Sequence, residues 1–250
     1  MNPTLAEKFA SGRRWRGILK PSVRCGILVI AVTAAGCAPR TAGDPPLFTD
    51  DFEHGLRQWV VEQQPGGTVT AHEGRLVIKD RGGCTVWFRA PLEAPVVIRY
   101  EATISSASRV SDLNCFWMAS DPANPGDIFA ARPVRDGRFS TYDRLKAYYV
   151  GYGGNENTTT RFRRYDGTGA RPLDPRHNLR AAEFLLRPDH EYHLALVATR
   201  EGLVQFIRDG QVVFEVRDPA PFTRGWFGFR TLHSEMELRH FRVERPSGEK

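Results

Sequence analysis

The chain of 250 residues lacks the motifs of several common enzyme classes. It contains no Gly-x-Ser-x-Gly, no phosphate-binding loop and no His-Glu-x-x-His, which argues against an α/β-hydrolase, a P-loop nucleotidase and a zinc peptidase. Of its four cysteines only Cys84 and Cys115 lie beyond residue 37, and neither has the spacing of metal ligands. Internal repeats and long stretches of helical period are also missing after Leu47.

The composition is that of an ordinary globular protein. Hydrophobic residues make up 41% and charged residues 26%, which excludes disordered and collagen-like classes. The chain is long enough to bury a sizeable core. Seventeen prolines, 23 glycines and 11% aromatic residues favour β structure with many turns.

The net charge of +6 is concentrated at the N-terminus. Residues 1–36 carry a net charge of +5 and the rest of the chain carries +1. A protein that binds nucleic acid through its whole surface needs a basic domain, and the remainder of this chain is nearly neutral. The sequence therefore predicts no nucleic-acid partner.

The N-terminal region is typical of an exported lipoprotein. The apolar run 25–36 is too short to span a bilayer and has the length of a signal-peptide core. It ends in Ala-Ala-Gly before Cys37, which resembles the bacterial lipobox whose cysteine is acylated and becomes the new N-terminus. We predict a signal peptide over 1–36, lipidation at Cys37 and a tether over 37–46. Plain secretory cleavage and an uncleaved anchor are the alternatives.

The expected location follows from this lipid anchor. Several acyl chains hold a protein stably on a membrane, whereas a single chain binds only marginally. Alanine at position 38 favours the outer membrane in a Gram-negative host, a rule that belongs to the lipoprotein class. We therefore expect an exported protein of the cell envelope whose membrane partner is reached through Cys37.

Short alternating runs bounded by turn residues indicate an all-β domain over 47–245, followed by a tail over 246–250. Residues 96–105 place Ile98, Tyr100, Ala102 and Ile104 on one face. The run 203–216 is interrupted by Asp-Gly, a pair typical of a two-residue hairpin turn. Many strands without alternating helices predict a two-sheet jelly-roll sandwich.

The segment 112–165 mixes aromatic rings, arginines and amides over short distances. Rings pack on the C–H faces of sugars, amides and arginines bind hydroxyl groups, and arginine binds a uronate carboxylate through two hydrogen bonds. A strand over 158–165 would place Arg161 and Arg163 on one face, unless these arginines simply face solvent. The candidate substrate-binding residues are Asn114, Trp117, Arg132, Tyr148, Asn155, Asn157, Arg161, Arg163 and Arg230.

Two strings in this segment are distinctive: Tyr-Tyr-Val-Gly-Tyr-Gly-Gly-Asn over 148–155 and Asn-Thr-Thr-Thr-Arg-Phe-Arg-Arg-Tyr over 157–165. Together with Gly-Trp-Phe-Gly-Phe-Arg-Thr over 225–231, they resemble an uncharacterised bacterial family of secreted, concanavalin A-like jelly-roll proteins. The resemblance covers most of the mature chain. It implies a role in the use of polysaccharides, including pectic rhamnogalacturonan, and it implies no catalytic residues.

The residues leave three classes of function open. A retaining glycosidase needs two carboxyl groups about 5–5.5 Å apart, and the Glu-x-Asp-x-Glu strand motif of glucanases with this fold is absent. A lyase needs a group that neutralises the uronate, a base and an acid, and the candidate catalytic residues are Tyr149, Tyr152 and His233. We therefore expect a protein that binds a polysaccharide or oligosaccharide on the concave face of the jelly roll. Whether it also cleaves its ligand is left open by the residues, which favour a lyase over a hydrolase. A non-catalytic glycan-binding module and a structural envelope protein are the alternatives.

The sequence leaves two alternatives open for one pair of cysteines and for one pair of aspartates. Cys84 and Cys115 either form a disulfide, which export permits, or remain buried thiols. Asp50 and Asp51 either help to bind a structural calcium ion, as in some relatives of this fold, or serve a turn at the start of a strand. No other cofactor is expected.

Overall fold

The computed structural model describes residues 45–246, which form a sandwich of two antiparallel sheets. This architecture confirms the predicted all-β class. Strands extend from Phe48 to Glu244. The predicted signal peptide, the lipidation residue Cys37, tether residues 38–44 and tail residues 247–250 lie outside the described residues.

Each sheet has eight strands, numbered here in chain order across both sheets. The first sheet has the order β14-β13-β12-β7-β16-β4-β3, and β1 pairs with β16. Its strands are β1 (Phe48–Asp50), β3 (Thr68–His72), β4 (Arg75–Lys79), β7 (Val96–Ile104), β12 (Tyr192–Ala198), β13 (Leu203–Arg208), β14 (Gln211–Arg217) and β16 (Glu235–Glu244).

The second sheet has the order β11-β10-β9-β8-β15-β5-β2, and β6 pairs with β15. Its strands are β2 (Trp59–Gln63), β5 (Cys84–Phe88), β6 (Leu92–Glu93), β8 (Asn114–Ser120), β9 (Lys146–Gly153), β10 (Thr159–Asp166), β11 (Asn178–Leu179) and β15 (Arg224–Thr231). The short helical turns are Ile128–Ala130, Phe139–Tyr142, Gly154–Asn157, Pro175–His177 and Ala182–Phe184. In residues 45–246 no helix has the length and apolarity to cross a membrane.

Local sequence signals explain several of these elements. Strands β13 and β14 form the expected hairpin, and Asp209 and Gly210 have φ angles of 51° and 77°. A two-residue hairpin turn requires such positive angles because they match the twist of the flanking strands. In β7, the alternating apolar residues from Ile98 to Ile104 are buried between the sheets, as their period predicts.

The main core lies between the two sheets and is rich in aromatic rings. The ring of Trp59 stacks on Phe229 at 5.2 Å and meets Phe241 edge-on at 5.0 Å. The buried carboxylate of Asp50 accepts hydrogen bonds from Trp59 Nε1 at 2.8 Å and from the backbone N–H of Phe52 at 2.7 Å. These bonds fix the first strand against the core.

A second core lies on the outer face of the second sheet, the face turned away from the first sheet. The connection 121–145 folds over this face and buries Trp87 and Phe116, whose rings stack at 5.5 Å. A buried ion pair holds the connection, because Arg135 lies 3.1 Å from Glu62, and Glu62 also accepts a hydrogen bond from Trp87 Nε1 at 2.8 Å. The connection covers part of the face and leaves the neighbouring part free for a cavity.

Cys84 and Cys115 are free, buried thiols. They lie on β5 and β8, which flank β15 on either side. Two strand spacings amount to about 9–10 Å, which exceeds the Cα separation that a disulfide can bridge. Burial raises the pKa of both thiols, that of Cys115 to about 12. The buried-thiol alternative is therefore the one that fits the fold.

Candidate functional site

A cavity of about 290 Å³ opens on the outer face of the second sheet, and we call it the outer-face pocket. Strands β8, β9, β10 and β15 form its floor. Its walls come from Phe139 of the covering connection, from the turn at 154–155, from Arg171 after β10 and from Leu232 after β15. The pocket thus lies at the edge of the covering connection.

Sheet register brings the floor residues into two rows. In the first row Arg161 pairs with Gly151, and Asn114 pairs with Arg230. Gly151 and Asn114 are adjacent, one step beyond the Cys115–Val150 pair. In the second row Arg163, Tyr149 and Phe116 are consecutive partners. Side chains of cross-strand partners project side by side, so residues distant in sequence converge on one surface.

Arg161 and Arg163 are held by uncharged acceptors. The Nε of Arg161 donates to Asn178 Oδ1 at 2.8 Å. With the amide of Asn155 oriented to satisfy its neighbours, its oxygen accepts from Arg161 Nη1 at 2.7 Å. The Nη1 of Arg163 donates to the backbone carbonyl groups of residues 171 and 172. Amide and backbone oxygens of the described residues therefore fix both guanidinium groups in position.

Arg230 is almost completely buried below the pocket, with 1% of its surface exposed. Its Nη1 donates to Thr85 Oγ1 and to the backbone carbonyl of Gly137, both at 2.9 Å. The guanidinium also lies 4.8 Å from the ring centre of Phe139 and 5.0 Å from that of Tyr142. Aromatic faces stabilise the cation without cancelling its charge.

The pocket has a positive charge balance. Among residues 45–246 none of these three arginines has a carboxylate within 4 Å. Arg171 is neutralised by Asp143, which accepts two hydrogen bonds from it at 2.7 and 2.8 Å. The one acidic residue in the lining, Asp112, is paired with Arg109 at 3.0 Å. Three cationic side chains therefore remain uncompensated around the cavity.

Two residues of the lining carry buried polar atoms without a protein partner. These atoms are the side-chain oxygen of Asn114 and the hydroxyl of Tyr165, whose residues are 3% and 2% exposed. Burial raises the pKa of Tyr165 to about 12 and that of Tyr149 far above its usual value. Both phenols are neutral at pH 7 and able to donate a hydrogen bond. Leaving such groups unpaired costs free energy, which a polar ligand would recover.

The structure brings together six of the residues that the sequence analysis selected for the site. All six line the outer-face pocket: Asn114, Tyr149, Asn155, Arg161, Arg163 and Arg230. Strand alternation explains the arrangement of Arg161 and Arg163, because Thr159, Arg161 and Arg163 share the outer face while Phe162 packs into the main core.

Three other candidates point into the main core and are removed from the site. Trp117, Tyr148 and Tyr152 are at most 1% exposed. The hydroxyl of Tyr148 donates to Asp218 at 2.6 Å, and that of Tyr152 accepts from Arg208 at 3.1 Å. Adjacent strand residues face opposite sides of a sheet, so Tyr148 and Tyr149 cannot both reach the pocket.

Three more candidates lie on other surfaces. Arg132 is exposed in the covering connection and donates to the carbonyl of its own neighbour Ala131 at 2.7 Å. The amide of Asn157 pairs with both backbone groups of Leu186 and fastens a loop. His233 is exposed beyond β15, and its backbone N–H donates to Asp80. None of the three lines the outer-face pocket.

Asp50 and Asp51 do not fit a calcium site. Both carboxylate oxygens of Asp50 accept hydrogen bonds from N–H donors in the core, as described above. Asp51 is exposed, and its side chain accepts from the backbone N–H of Glu53 at 3.0 Å, which is a turn interaction. These contacts match the reading of the pair as a turn and strand start.

Several pocket residues were missed by the sequence analysis. Tyr165 continues the alternation of Arg161 and Arg163, so the strand period could have found it. Phe139 and Arg171 lie in connections, where no period links them to the strands. Gly151 also belongs to the lining, and the ring of Tyr149 lies beside it.

Solved structures share this fold at low sequence identity. A Bacillus subtilis protein of unknown function with a galectin-like fold is 18% identical, with a TM-score of 0.65, and the match covers 81% of this chain and 97% of that one. The carbohydrate-binding module CBM66 from Bacillus subtilis is 15% identical, with a TM-score of 0.52 and coverages of 76% and 96%. The lumenal domain of VIP36, in a form bound to Ca²⁺ and Man3GlcNAc, is 14% identical, with a TM-score of 0.50 and coverages of 81% and 92%.

No curated protein matches the sequence. A family model does match it over residues 78–241, which is more than half of the chain and includes every strand that forms the floor of the pocket. The chain therefore belongs to the family described as domain of unknown function DUF6250.

Proposed function

We propose that this protein is a lipid-anchored protein of the cell envelope that binds a polysaccharide or oligosaccharide in the outer-face pocket. The observation that carries the proposal is the lining, in which aromatic rings, arginines and unpartnered buried polar atoms surround one cavity. Two proteins with the same fold, CBM66 and VIP36, are named as a carbohydrate-binding module and as a sugar-bound form.

Each part of the lining has a role in such binding. The rings of Phe139 and Tyr149 provide apolar surface for the C–H face of a sugar. The oxygen of Asn114 accepts a hydrogen bond from a sugar hydroxyl, and the phenols of Tyr149 and Tyr165 donate one. Because these groups sit on paired strands, they are positioned before the ligand arrives, which reduces the entropic cost of binding.

The pocket is better suited to binding than to cleavage. A glycosidase of the usual kind uses two carboxyl groups, whereas among the described residues of the lining Asp112 alone carries a carboxylate, and it is already paired. Among the candidate catalytic residues only Tyr149 lines the pocket. Its raised pKa keeps the phenol protonated, so it is a poor base for the proton abstraction of a lyase.

One experiment tests binding and cleavage together. The full-length protein, purified in mild detergent, is titrated with acidic and neutral polysaccharides, pectic rhamnogalacturonan among them. We expect saturable binding to at least one glycan, with no rise in unsaturated-uronate absorbance or in reducing ends. A rise in both signals would show a lyase, reducing ends alone would show a hydrolase, and absence of binding to every glycan would contradict the proposal.

Two variants locate the binding. Asn114→Ala removes the unpartnered acceptor and is expected to weaken binding by roughly tenfold, the effect of one buried hydrogen bond. Arg132→Ala removes an exposed arginine outside the pocket and should bind as the original protein does. Equal affinities of the two variants would place the glycan elsewhere.

The anchor is tested separately from the pocket. In a bacterial host fed labelled palmitate, we expect the protein to incorporate label and to partition into detergent. Cys37→Ala should lose both properties because the acylated residue is gone, while Cys25→Ala, a change inside the predicted signal peptide, should keep them. Labelled Cys37→Ala protein would contradict lipidation at this residue.

A further inference from the structure

We infer that the outer-face pocket selects a sugar that carries a carboxylate, a uronic acid unit, and that Arg161 and Arg163 hold this carboxylate. The inference rests on the proposed glycan binding and specifies its ligand. It goes beyond the presence of arginines in the sequence, because it depends on how their charges are balanced in the folded protein.

Arg161 and Arg163 have no counterion among the described residues. Arg161 and Arg163 are both held by amides or backbone carbonyls, and in the described part of the chain neither has a carboxylate within 4 Å. Their like charges oppose each other: burial, Arg163 and the nearby Arg180 together lower the pKa of Arg161. Concentrated positive charge without a partner is unfavourable, and a bound anion relieves the repulsion.

Arg163 also has hydrogen-bond donors that are available to a ligand. Within residues 45–246 Arg163 donates hydrogen bonds only from Nη1, which leaves its Nε and Nη2 groups free. A guanidinium group offers its donors as a planar fork that matches the two oxygens of a carboxylate. Because the carbonyl groups of residues 171 and 172 fix the orientation of Arg163, the fork is in place before the ligand binds.

The two arginines project from the same face of one strand. Arg161 and Arg163 are two residues apart on β10, so their backbones are about 6.6 Å apart on the same face. Gly151, the partner of Arg161, leaves the adjoining floor without a side chain. The ring of Tyr149 lies beside this position, so a carboxylate between the arginines would place its sugar ring near Asn114 and against the ring of Tyr149.

The size of the pocket indicates how much sugar it receives. Its volume of about 290 Å³ lies at the lower end of the range for small-molecule sites. A space of this size holds a small part of a polysaccharide and not a long stretch of polymer. The inference therefore concerns the uronate unit held by the two arginines.

The test compares each acidic probe with its neutral counterpart. Oligosaccharides that carry galacturonate or glucuronate are measured by calorimetry before and after reduction of the carboxyl groups, with a sulfated oligosaccharide as a further probe. We expect at least one acidic probe to bind roughly 10- to 100-fold more tightly than its reduced form, the effect of charge-assisted hydrogen bonds.

The variants then assign the selectivity to the two arginines. Arg161→Ala combined with Arg163→Ala should lower the affinity for the acidic probe to that for the reduced probe, while Arg132→Ala keeps the difference. Equal binding of acidic and reduced probes would overturn the carboxylate inference and leave the proposed function intact. Selective binding of the sulfated probe alone would also overturn it. Failure of every probe, neutral ones included, would instead contradict glycan binding itself.

Discussion

Replacing Gly151 by leucine is expected to abolish glycan binding while the domain stays folded. The nearest atoms to a Cβ added at Gly151 belong to Tyr149, whose Cε1 and hydroxyl lie 3.3 and 3.5 Å from it, so the Tyr149 ring would have to shift. Gly151 has no positive φ, so its backbone accepts other residues. Because Gly151 and Tyr149 both line the outer-face pocket, a leucine at 151 must either occupy the pocket itself or push the Tyr149 ring out of its binding position. We expect calorimetry to show affinity reduced by at least about 100-fold.

A matched glycine separates this blockage from a general effect of added bulk. Gly126 is exposed in the covering connection and has no atom near its added Cβ, so Gly126→Leu should bind normally. Gly151→Ala adds one methyl group and should give an intermediate loss. Displacing Tyr149 costs about 1–3 kcal/mol, so thermal unfolding is measured alongside. Normal binding by folded Gly151→Leu protein would show that the glycan does not occupy this pocket.

Replacing Arg135 by methionine is expected to lower the free energy of unfolding by about 3–5 kcal/mol, because it leaves a buried carboxylate without its cation. Arg135 and Glu62 are 4% and 5% exposed, so water cannot replace the lost partner. Arg135 also donates to the carbonyl of Ile128 at 2.6 Å, which fixes the covering connection. For a domain of this size, the melting temperature should fall by roughly 6–20 °C.

Two comparisons isolate the buried charge as the cause. Arg138 belongs to the same connection and pairs with Asp136 at 3.4 Å, but its side chain is 67% exposed, so Arg138→Met should cost about 1 kcal/mol or less. Adding Glu62→Gln to Arg135→Met removes the unpaired charge and should restore part of the lost stability. Urea unfolding measures all three variants. Equal losses for Arg135→Met and Arg138→Met would rule out this role of the ion pair.

The fold could be predicted from the sequence because each strand obeys a local rule. The alternation from Ile98 to Ile104 and the Asp209-Gly210 turn depend on neighbours in the chain, so a period of two residues reveals them. Strand order depends on pairs such as Trp59 with Phe88, which are far apart in sequence. Composition and period contain no information on such pairs, and the complete sheets emerge only from the structure.

The sequence predicts which site residues share a face of one strand. It does not predict which residues from different strands and connections come together. The alternation along β10 gives Arg161 and Arg163 a common face, but it does not say which face is covered. In β9 the same uncertainty led to Tyr148 and Tyr152 being selected with Tyr149, although two of these three rings fill the core. The wall residues Phe139 and Arg171 come from connections, whose paths follow no sequence period.

Because Cys84 and Cys115 are free thiols, the domain can be produced without oxidative folding, and its opening can be followed chemically. A domain without a disulfide needs neither an oxidant nor a disulfide isomerase to reach its native state. Because both thiols are buried and held protonated, a thiol-specific alkylating reagent can react only when the sandwich opens. The rate of alkylation therefore measures how often the domain opens, and no cysteine has to be engineered into the protein for this purpose.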